Sequence, residues 1–195
     1  MKKKDLLFLA MAVTIVSGCA DNSALIRANS TSIRSDVFEE LPDGGPVPPG
    51  YATLRLVSSL KTHKPGIYSV TDIHGTFDYK LLLNIDGQAV QLQGNLREER
   101  IEPRGLGDAE VGEGIRYRFS KKLRLRAGTH KVVIALPTDG IAMEHKITLP
   151  EGSNTMLLEP LYKATPGKRR PAFYGATSFE EGIGGFRVVL NGQPL

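Results

Sequence analysis

Residues 115–136 read IRYRFSKKLRLRAGTHKVVIAL, and their alternation of apolar and basic side chains decides the fold class. In Ile115–Phe119, and again in Leu123–Arg126, every second residue is apolar, which is the period of a strand with one buried face. Ala127-Gly128 supplies a turn, and Lys131–Leu136 then continues as an apolar strand. The stretch therefore predicts successive β-strands that pack one face against a core.

The same period recurs on both sides of this stretch. Further strands are predicted at Tyr51–Val57, Phe77–Ile85, Ala89–Gln93, Ile141–Leu149, Thr155–Glu159 and Phe186–Leu190. Asp86-Gly87 predicts a hairpin turn, because glycine tolerates a positive φ. Residues 94–114 lose the period, carry many charges and predict a long surface loop. The predicted fold class is all-β, an antiparallel β-sandwich of about eight or nine short strands.

The N-terminal segment, KKKDLLFLAMAVTIVSGCA at residues 2–20, has the features of an export signal. Three lysines precede the apolar run Leu6–Val16, which has the length of a signal-peptide core and falls short of the ~20 residues of a membrane-spanning helix. The run ends in Val16-Ser17-Gly18-Cys19, which resembles the lipobox of bacterial lipoproteins. The resemblance implies that residues 1–18 are a cleaved signal peptide and that Cys19 carries the fatty acyl chains, such as palmitate.

Residues 19–50 are predicted to join this anchor to the folded domain. Ala20, rather than Asp, follows the cysteine, and in lipoproteins of this kind that implies sorting to the outer membrane, facing the periplasm. The segment is rich in Pro and Gly near its end, which predicts a flexible tether. Helical spacing of Ile33, Val37, Phe38 and Leu41 predicts one short helix within it. The β-sandwich domain would then occupy residues 51–195.

Composition narrows the classes of partner. Removing residues 1–18 takes away three lysines and one aspartate, so the formal charge of the chain falls from +4 to +2. A charge this small does not support a nucleic-acid partner. The chain has a single cysteine, which the lipobox assigns to lipid, so we expect the fold to be stabilised by its core and by no disulfide.

Three short stretches resemble PEGA-type domains of bacterial envelope proteins. They are Leu83–Gly87, Leu123–Val132 and Ile147–Gly152, and the match covers roughly residues 80–160. The sequence departs from that family in its longer 94–114 segment and in lacking the Pro-Glu-Gly-Ala motif. The resemblance implies a small β-sandwich that binds or scaffolds another envelope component and has no catalytic residues.

Sequence motifs point to no reaction. There is no G-x-S-x-G elbow, and the four histidines form no H-x-H or H-x-x-x-H pair. Asp72, His74 and Asp78 form the densest cluster of metal-ligand types, but polar caps of a turn explain the same residues, and that is the interpretation we favour. His130 lies in a glycine turn, where a structural role is expected. We therefore predict no catalytic residue, no metal and no cofactor.

Arg116, Arg118, Arg124 and Arg126 are the main candidates for ligand recognition. They alternate with the predicted core positions, so they would line the outer face of a sheet, where guanidinium forks suit phosphate and carboxylate groups. The alternative is an ordinary solvated face. The predicted partners are the membrane, through the lipid anchor, and an envelope protein or an anionic glycan or lipid. A second hypothesis is an envelope hydrolase acting on polysaccharide or peptidoglycan with dispersed carboxylates.

Overall fold

The stretch that decides the fold class connects two sheets. The computed structural model describes residues 22–41, 46–67, 69–102, 108–164 and 177–195. In it, strand β6 (Gly112–Arg126) belongs to the larger sheet. Strand β7 (Gly128–Leu136) follows at once in the smaller sheet. Gly128 has a φ of 135°, which a residue with a side chain rarely adopts, and it lies where the chain changes sheets.

The remaining elements are short and mostly strands. They are helix α1 (Asn22–Asn29), strands β1 (Phe38–Glu40), β2 (Tyr51–Thr62), β3 (Lys80–Ile85), β4 (Gln88–Gln93) and β5 (Asn95–Ile101), strands β8 (Ile141–Leu149), β9 (Gly152–Tyr162), β10 (Ile183–Leu190) and β11 (Gln193–Pro194), and 3-10 turns at Pro137–Asp139 and Phe179–Glu181. The predicted all-β, sandwich-like fold class is confirmed.

The larger sheet has the order β1-β6-β2-β9-β10-β11, and β5 also pairs with β6. The smaller sheet has the order β4-β3-β7-β8. The expectation of a wholly antiparallel fold is wrong for one pair, because β2 and β9 run parallel from Ala52 opposite Gly152 to Ser58 opposite Leu158. A long stretch of chain, including the whole smaller sheet, separates these two strands, and the period of two carries no information on strand direction.

Most apolar residues of the predicted strands form one core between the two sheets, whereas Leu82, Val133 and Ala135 are buried on the opposite face of the smaller sheet. On the larger sheet, Leu54, Leu56, Tyr117, Phe119, Leu123 and Leu125 are buried. On the smaller sheet, Leu81, Leu83, Ile85, Val132 and Ile134 belong to the same cluster. Burial of a leucine-sized side chain contributes roughly 1.5–3 kcal/mol, so this alternation stabilises the fold and sets which face of each strand points inward.

Two boundaries in the middle of the chain differ from the prediction. Residues 115–126 form one continuous strand, because Ser120, Lys121 and Lys122 keep their pairing with β2. Residues 94–114 are not simply a loop, since β5 pairs with the first half of β6. Most side chains of β5 are exposed or half-buried on both faces, so no apolar alternation marks it.

Strand β3 begins at Lys80, three residues later than predicted. Phe77 is 63% exposed, and it belongs to a turn in which the Tyr79 N–H donates to the Thr76 carbonyl. The predicted hairpin at Asp86-Gly87 is present between β3 and β4, with φ values of 48° and 92°. These positive angles are those of a two-residue hairpin turn.

Residues 22–41 of the predicted tether contain a helix and a short strand. No helix forms at 33–41, and α1 lies earlier, with the Asn29 carbonyl accepting a bond from Asn84 Nδ2 at 3.0 Å. Phe38 instead opens strand β1 and is buried in the core. Gln88 Oε1 accepts hydrogen bonds from the backbone N–H groups of Val37 and Phe38, at 2.8 and 3.1 Å. These two bonds hold the segment in an extended conformation.

Candidate functional site

The four arginines of β6 lie on the outer side of the larger sheet, but they differ in what they contact. Their apolar neighbours Ile115, Tyr117 and Leu123 are buried on the inner side, as the alternation predicted. The strand therefore presents its even-numbered residues away from the smaller sheet.

Arg116 is not available to a ligand, contrary to the expectation for this face. It is 8% exposed, and its guanidinium donates two bonds to Glu110, at 2.8 and 2.5 Å, and one to Glu99, at 2.7 Å. Burial lowers the pKa of Arg116, but the bonds to Glu110 and Glu99 outweigh it, so the net pKa is raised. Strand β5, which pairs with β6 at this end of the sheet, supplies Glu99, and the residues before β6 supply Glu110.

A second buried cation lies beside Arg116. Lys61 is its cross-strand partner on β2 and is fully buried, with its Nζ donating to the carbonyl oxygens of Glu110 and Gly112 at 2.8 and 2.6 Å. Desolvation lowers the pKa of Lys61. Tyr162 Oη completes the group by donating to Glu110 Oε1 at 2.7 Å. We call these residues the Arg116 cluster; its polar atoms are engaged with one another, which fits a structural role.

The other three arginines lie closer to solvent. Arg124 donates to the Glu39 carboxylate, and the guanidinium of Arg126 lies 5.5 Å from the centre of the Tyr51 ring. Arg118 is exposed, and its guanidinium has no side-chain partner in the part of the chain that the structure describes. The predicted face is thus one buried arginine, one paired arginine and two exposed ones.

The structure brings together a pair of cations beyond the four predicted arginines. Arg55 of β2 and Lys122 of β6 are register partners, and both line a groove of about 600 Å³ on the outer side of the larger sheet. Four hydroxyl groups line it as well, from Thr53, Ser120, Ser153 and Thr155. No acidic side chain lines the groove within the described ranges. We call it the basic groove.

A second polar site lies at the end of β2. His63 Nε2 contacts Asp72 Oδ2, and His74 Nδ1 lies 2.5 Å from Asp72 Oδ1. The other nitrogen of His74, Nε2, lies 3.4 Å from Asp139 Oδ1, and Tyr79 Oη donates to Asp139 Oδ2 at 2.6 Å. These five side chains form a continuous chain of contacts, which we call the histidine relay.

The relay is largely buried. Burial raises the pKa of Asp72, but bonds from the His74 N–H and from both imidazoles outweigh it and lower that pKa to about 2. Burial lowers the pKa of His74, but its contacts with Asp139 and Asp72 raise it by more. Burial, together with Asp139, raises the pKa of Tyr79. An ionised Asp72 beside His74 is therefore the stable arrangement of this site.

The relay only partly matches the cluster visible in the sequence. Asp72 accepts the backbone N–H of His74 at 3.0 Å, as expected of a polar turn cap. Asp78 is exposed and lies outside the relay. His63 and Asp139 join it from the end of β2 and from the 3-10 turn after β7, positions that no local spacing connects.

His130 has the structural contacts expected of it. Its Nδ1 lies 2.7 Å from Asp86 Oδ2, and its Nε2 lies 2.9 Å from the Arg126 carbonyl oxygen. The imidazole thereby connects the β3–β4 turn to the β6–β7 connection.

No protein-family model matches the chain, and no match was found among curated proteins or solved structures. Within the described ranges, the helices are too short or too polar to cross a bilayer. The predicted signal peptide, residues 1–18, and the predicted lipidation site Cys19 lie outside these ranges.

Proposed function

We propose that the protein is a lipid-anchored lipoprotein of the bacterial cell envelope, held in the outer membrane and facing the periplasm. Its β-sandwich would bind an anionic envelope component without chemical turnover. The observation that carries the binding role is the basic groove, in which Arg55 and Lys122 oppose each other; none of the described lining residues is acidic, and Lys121 at the groove is paired with Glu40.

The anchor is supported by the N-terminal sequence. A short apolar run, small residues at 17 and 18 and the single cysteine at 19 occur together in the order that lipidation requires. Two or three acyl chains on Cys19 would hold the protein stably, whereas a single chain binds a membrane only marginally. The first described helix begins at Asn22, so lipid on Cys19 would keep the sandwich close to the head groups.

The ligand class follows from the charge of the groove. Like charges directly opposite on neighbouring strands destabilise a sheet, and an anion placed between them removes that cost. A guanidinium fork, an ammonium group and the hydroxyl groups of Ser120, Ser153 and Thr155 suit a phosphate or a carboxylate. Exposed Arg118 and Arg126 extend the positive surface along β6. Phosphorylated lipid head groups and acidic glycans share this chemistry.

The hydrolase hypothesis finds less support in the chemistry of the relay. Glycoside hydrolysis needs one carboxyl group with a raised pKa to act as general acid. Asp72 has a lowered pKa, and both Asp72 and Asp139 already accept bonds from neighbouring side chains. The resemblance of residues 80–160 to PEGA-type domains likewise favours binding over catalysis.

The anchor is tested by changing Cys19 to Ser in cells. The wild-type chain should be recovered with the outer membrane and carry the mass of its acyl chains, whereas Cys19→Ser should lose both. Membrane recovery and mass that do not change with the substitution would exclude the lipid anchor.

The binding role is tested with the purified full chain, vesicles of phosphatidylglycerol or phosphatidylcholine, and peptidoglycan sacculi. The double variant Arg55→Gln/Lys122→Gln should bind the anionic target about tenfold more weakly or worse, a difference of ~1.4 kcal/mol or more. The matched control is Lys131→Gln/Lys146→Gln, which removes another pair of facing cations, one of them paired with Glu144. Equal effects of the two double variants, or no binding by the wild type at low salt, would contradict the role.

A further inference from the structure

We propose that His63, Asp72 and His74 bind one zinc ion. Each of these residues offers one ligand atom, and the three atoms all lie within 4.8 Å of one another. Donors around a tetrahedral zinc, bound at 2.0–2.1 Å, are about 3.3 Å apart, so small rotations of the side chains bring the three atoms to bonding distance. Two imidazoles and a carboxylate are a ligand set that zinc accepts readily.

The outer contacts of His74 match those of a metal ligand. When a histidine binds a metal through one ring nitrogen, the other nitrogen usually donates to a carboxylate that fixes the ring. With Nδ1 of His74 turned toward Asp72 and His63, its Nε2 faces Asp139 at 3.4 Å. Asp139 is held in turn by Tyr79 Oη at 2.6 Å. This second observation separates the site from a chance cluster of polar caps.

The three ligands come from segments that the fold holds in place. His63 directly follows β2, and it is buried. Asp72 and His74 lie on the loop before β3, which is fixed to the core where Tyr117 Oη donates to the Thr76 carbonyl at 2.6 Å. Asp139 belongs to the 3-10 turn after β7. The site is therefore assembled by the tertiary structure before any metal arrives.

The ion would have a route to solvent and an open coordination position. The three ligands and Asp139 line a pocket of about 420 Å³. Lys163 also lines it but is exposed, so its ammonium group can remain in water. Three protein ligands leave the fourth tetrahedral position to a water molecule or to a small anion from the pocket.

The test is zinc binding by the full chain, produced without an affinity tag and purified in detergent. We expect one zinc per chain by calorimetry and by elemental analysis after dialysis. Cobalt in place of zinc should give the visible absorption bands of a four-coordinate site with nitrogen and oxygen ligands. Wild-type protein that takes up neither metal stoichiometrically would overturn the proposal.

Variants distinguish the site from other histidines. His74→Ala and Asp72→Asn should each weaken zinc binding at least about tenfold, and Asp139→Asn, which removes the outer contact, should weaken it about 10- to 100-fold. His145→Ala is the matched control, since His145 lies on β8 and outside the relay. Circular dichroism confirms that each variant is folded, and Asp72→Asn preserves side-chain volume if His74→Ala does not fold. Zinc affinity that stays the same in all three site variants, or falls equally in His145→Ala, would contradict the site.

Discussion

Arg55 and Lys122 lie directly opposite each other on neighbouring strands, and both line the basic groove. Opposed like charges cost roughly 0.2–1 kcal/mol in a sheet. We therefore expect Lys122→Gln to raise the free energy of unfolding by this amount in urea denaturation at low salt, and the gain to fade as salt screens the pair.

Lys146→Gln is the control for this effect. Lys146 also faces a lysine, Lys131, but that lysine is paired with Glu144 at 2.8 Å. The control should therefore gain little or nothing. A loss of stability in Lys122→Gln would show that Lys122 makes a favourable contact. It would also mean that there is no Arg55–Lys122 repulsion for a bound anion to relieve.

Arg116 should be essential for stability, whereas Arg118 two residues away should not. Arg116→Met removes the cation that half-buried Glu99 and Glu110 share, although Arg97 and Tyr162 still donate to them, and a poorly satisfied charge of this kind costs roughly 1–3 kcal/mol. Arg118→Met changes an exposed side chain on the same strand, so its effect should stay within about 0.5 kcal/mol. Urea denaturation of both variants measures the difference, and similar losses would contradict the buried cluster.

We expect protonation of Glu99 to reduce the stability of the protein in acid. Burial raises its pKa, but bonds from Arg97 and Arg116 outweigh that effect and lower the pKa below the ordinary value of 4.5. A lowered carboxyl pKa contributes stability that is fully present above the unfolded-state pKa and is lost as pH falls through the folded-state pKa. The free energy of unfolding should therefore fall more steeply below pH 4.5 in the wild type than in Glu99→Gln.

The control for this pH dependence is Glu98→Gln. The Glu98 side chain is 75% exposed and its contact with Lys64 is screened by water, so the variant should follow the wild-type curve closely. Coinciding curves for the wild type and Glu99→Gln would mean that the Arg116–Glu99 bond adds no stability.

Gly114 should not tolerate a side chain. An added Cβ would lie 2.5 Å from the Thr62 carbonyl oxygen and 2.8 Å from both Lys61 Cε and Phe179 Cε2. Gly114→Ala should lower the free energy of unfolding by about 1–3 kcal/mol, the usual cost of overpacking. At Gly184 the nearest atoms to an added Cβ are 3.4 and 3.5 Å away, so Gly184→Ala should be neutral or stabilising. Thermal melts of both variants compare the two positions.

The sequence alone predicts the inner faces of β2 and β6 correctly. In both strands one side contacts the core and the other carries mostly polar residues, so burial imposes an apolar period of two. Strand β7 differs, because Val132–Leu136 is buried on both faces, and its apolar run indicates a strand without indicating which face points inward. The Asp86-Gly87 turn was predictable for a different reason, since its backbone angles suit glycine. Strand β5 was not predictable, because neither of its faces is buried enough to require alternation.

The candidate sites depended on the tertiary structure. Arg116 and Arg118 are alike in the sequence and both face β5, but only Arg116 lies within reach of Glu99 and Glu110, and its burial there requires carboxylate partners. The relay brings His63, His74 and Asp139 together from separate segments. Local side-chain periodicity records which residues face the core, because burial acts on each residue separately. Contacts between distant segments depend on how the sheets pair and on which loops cover them, and that information is present only in the folded chain.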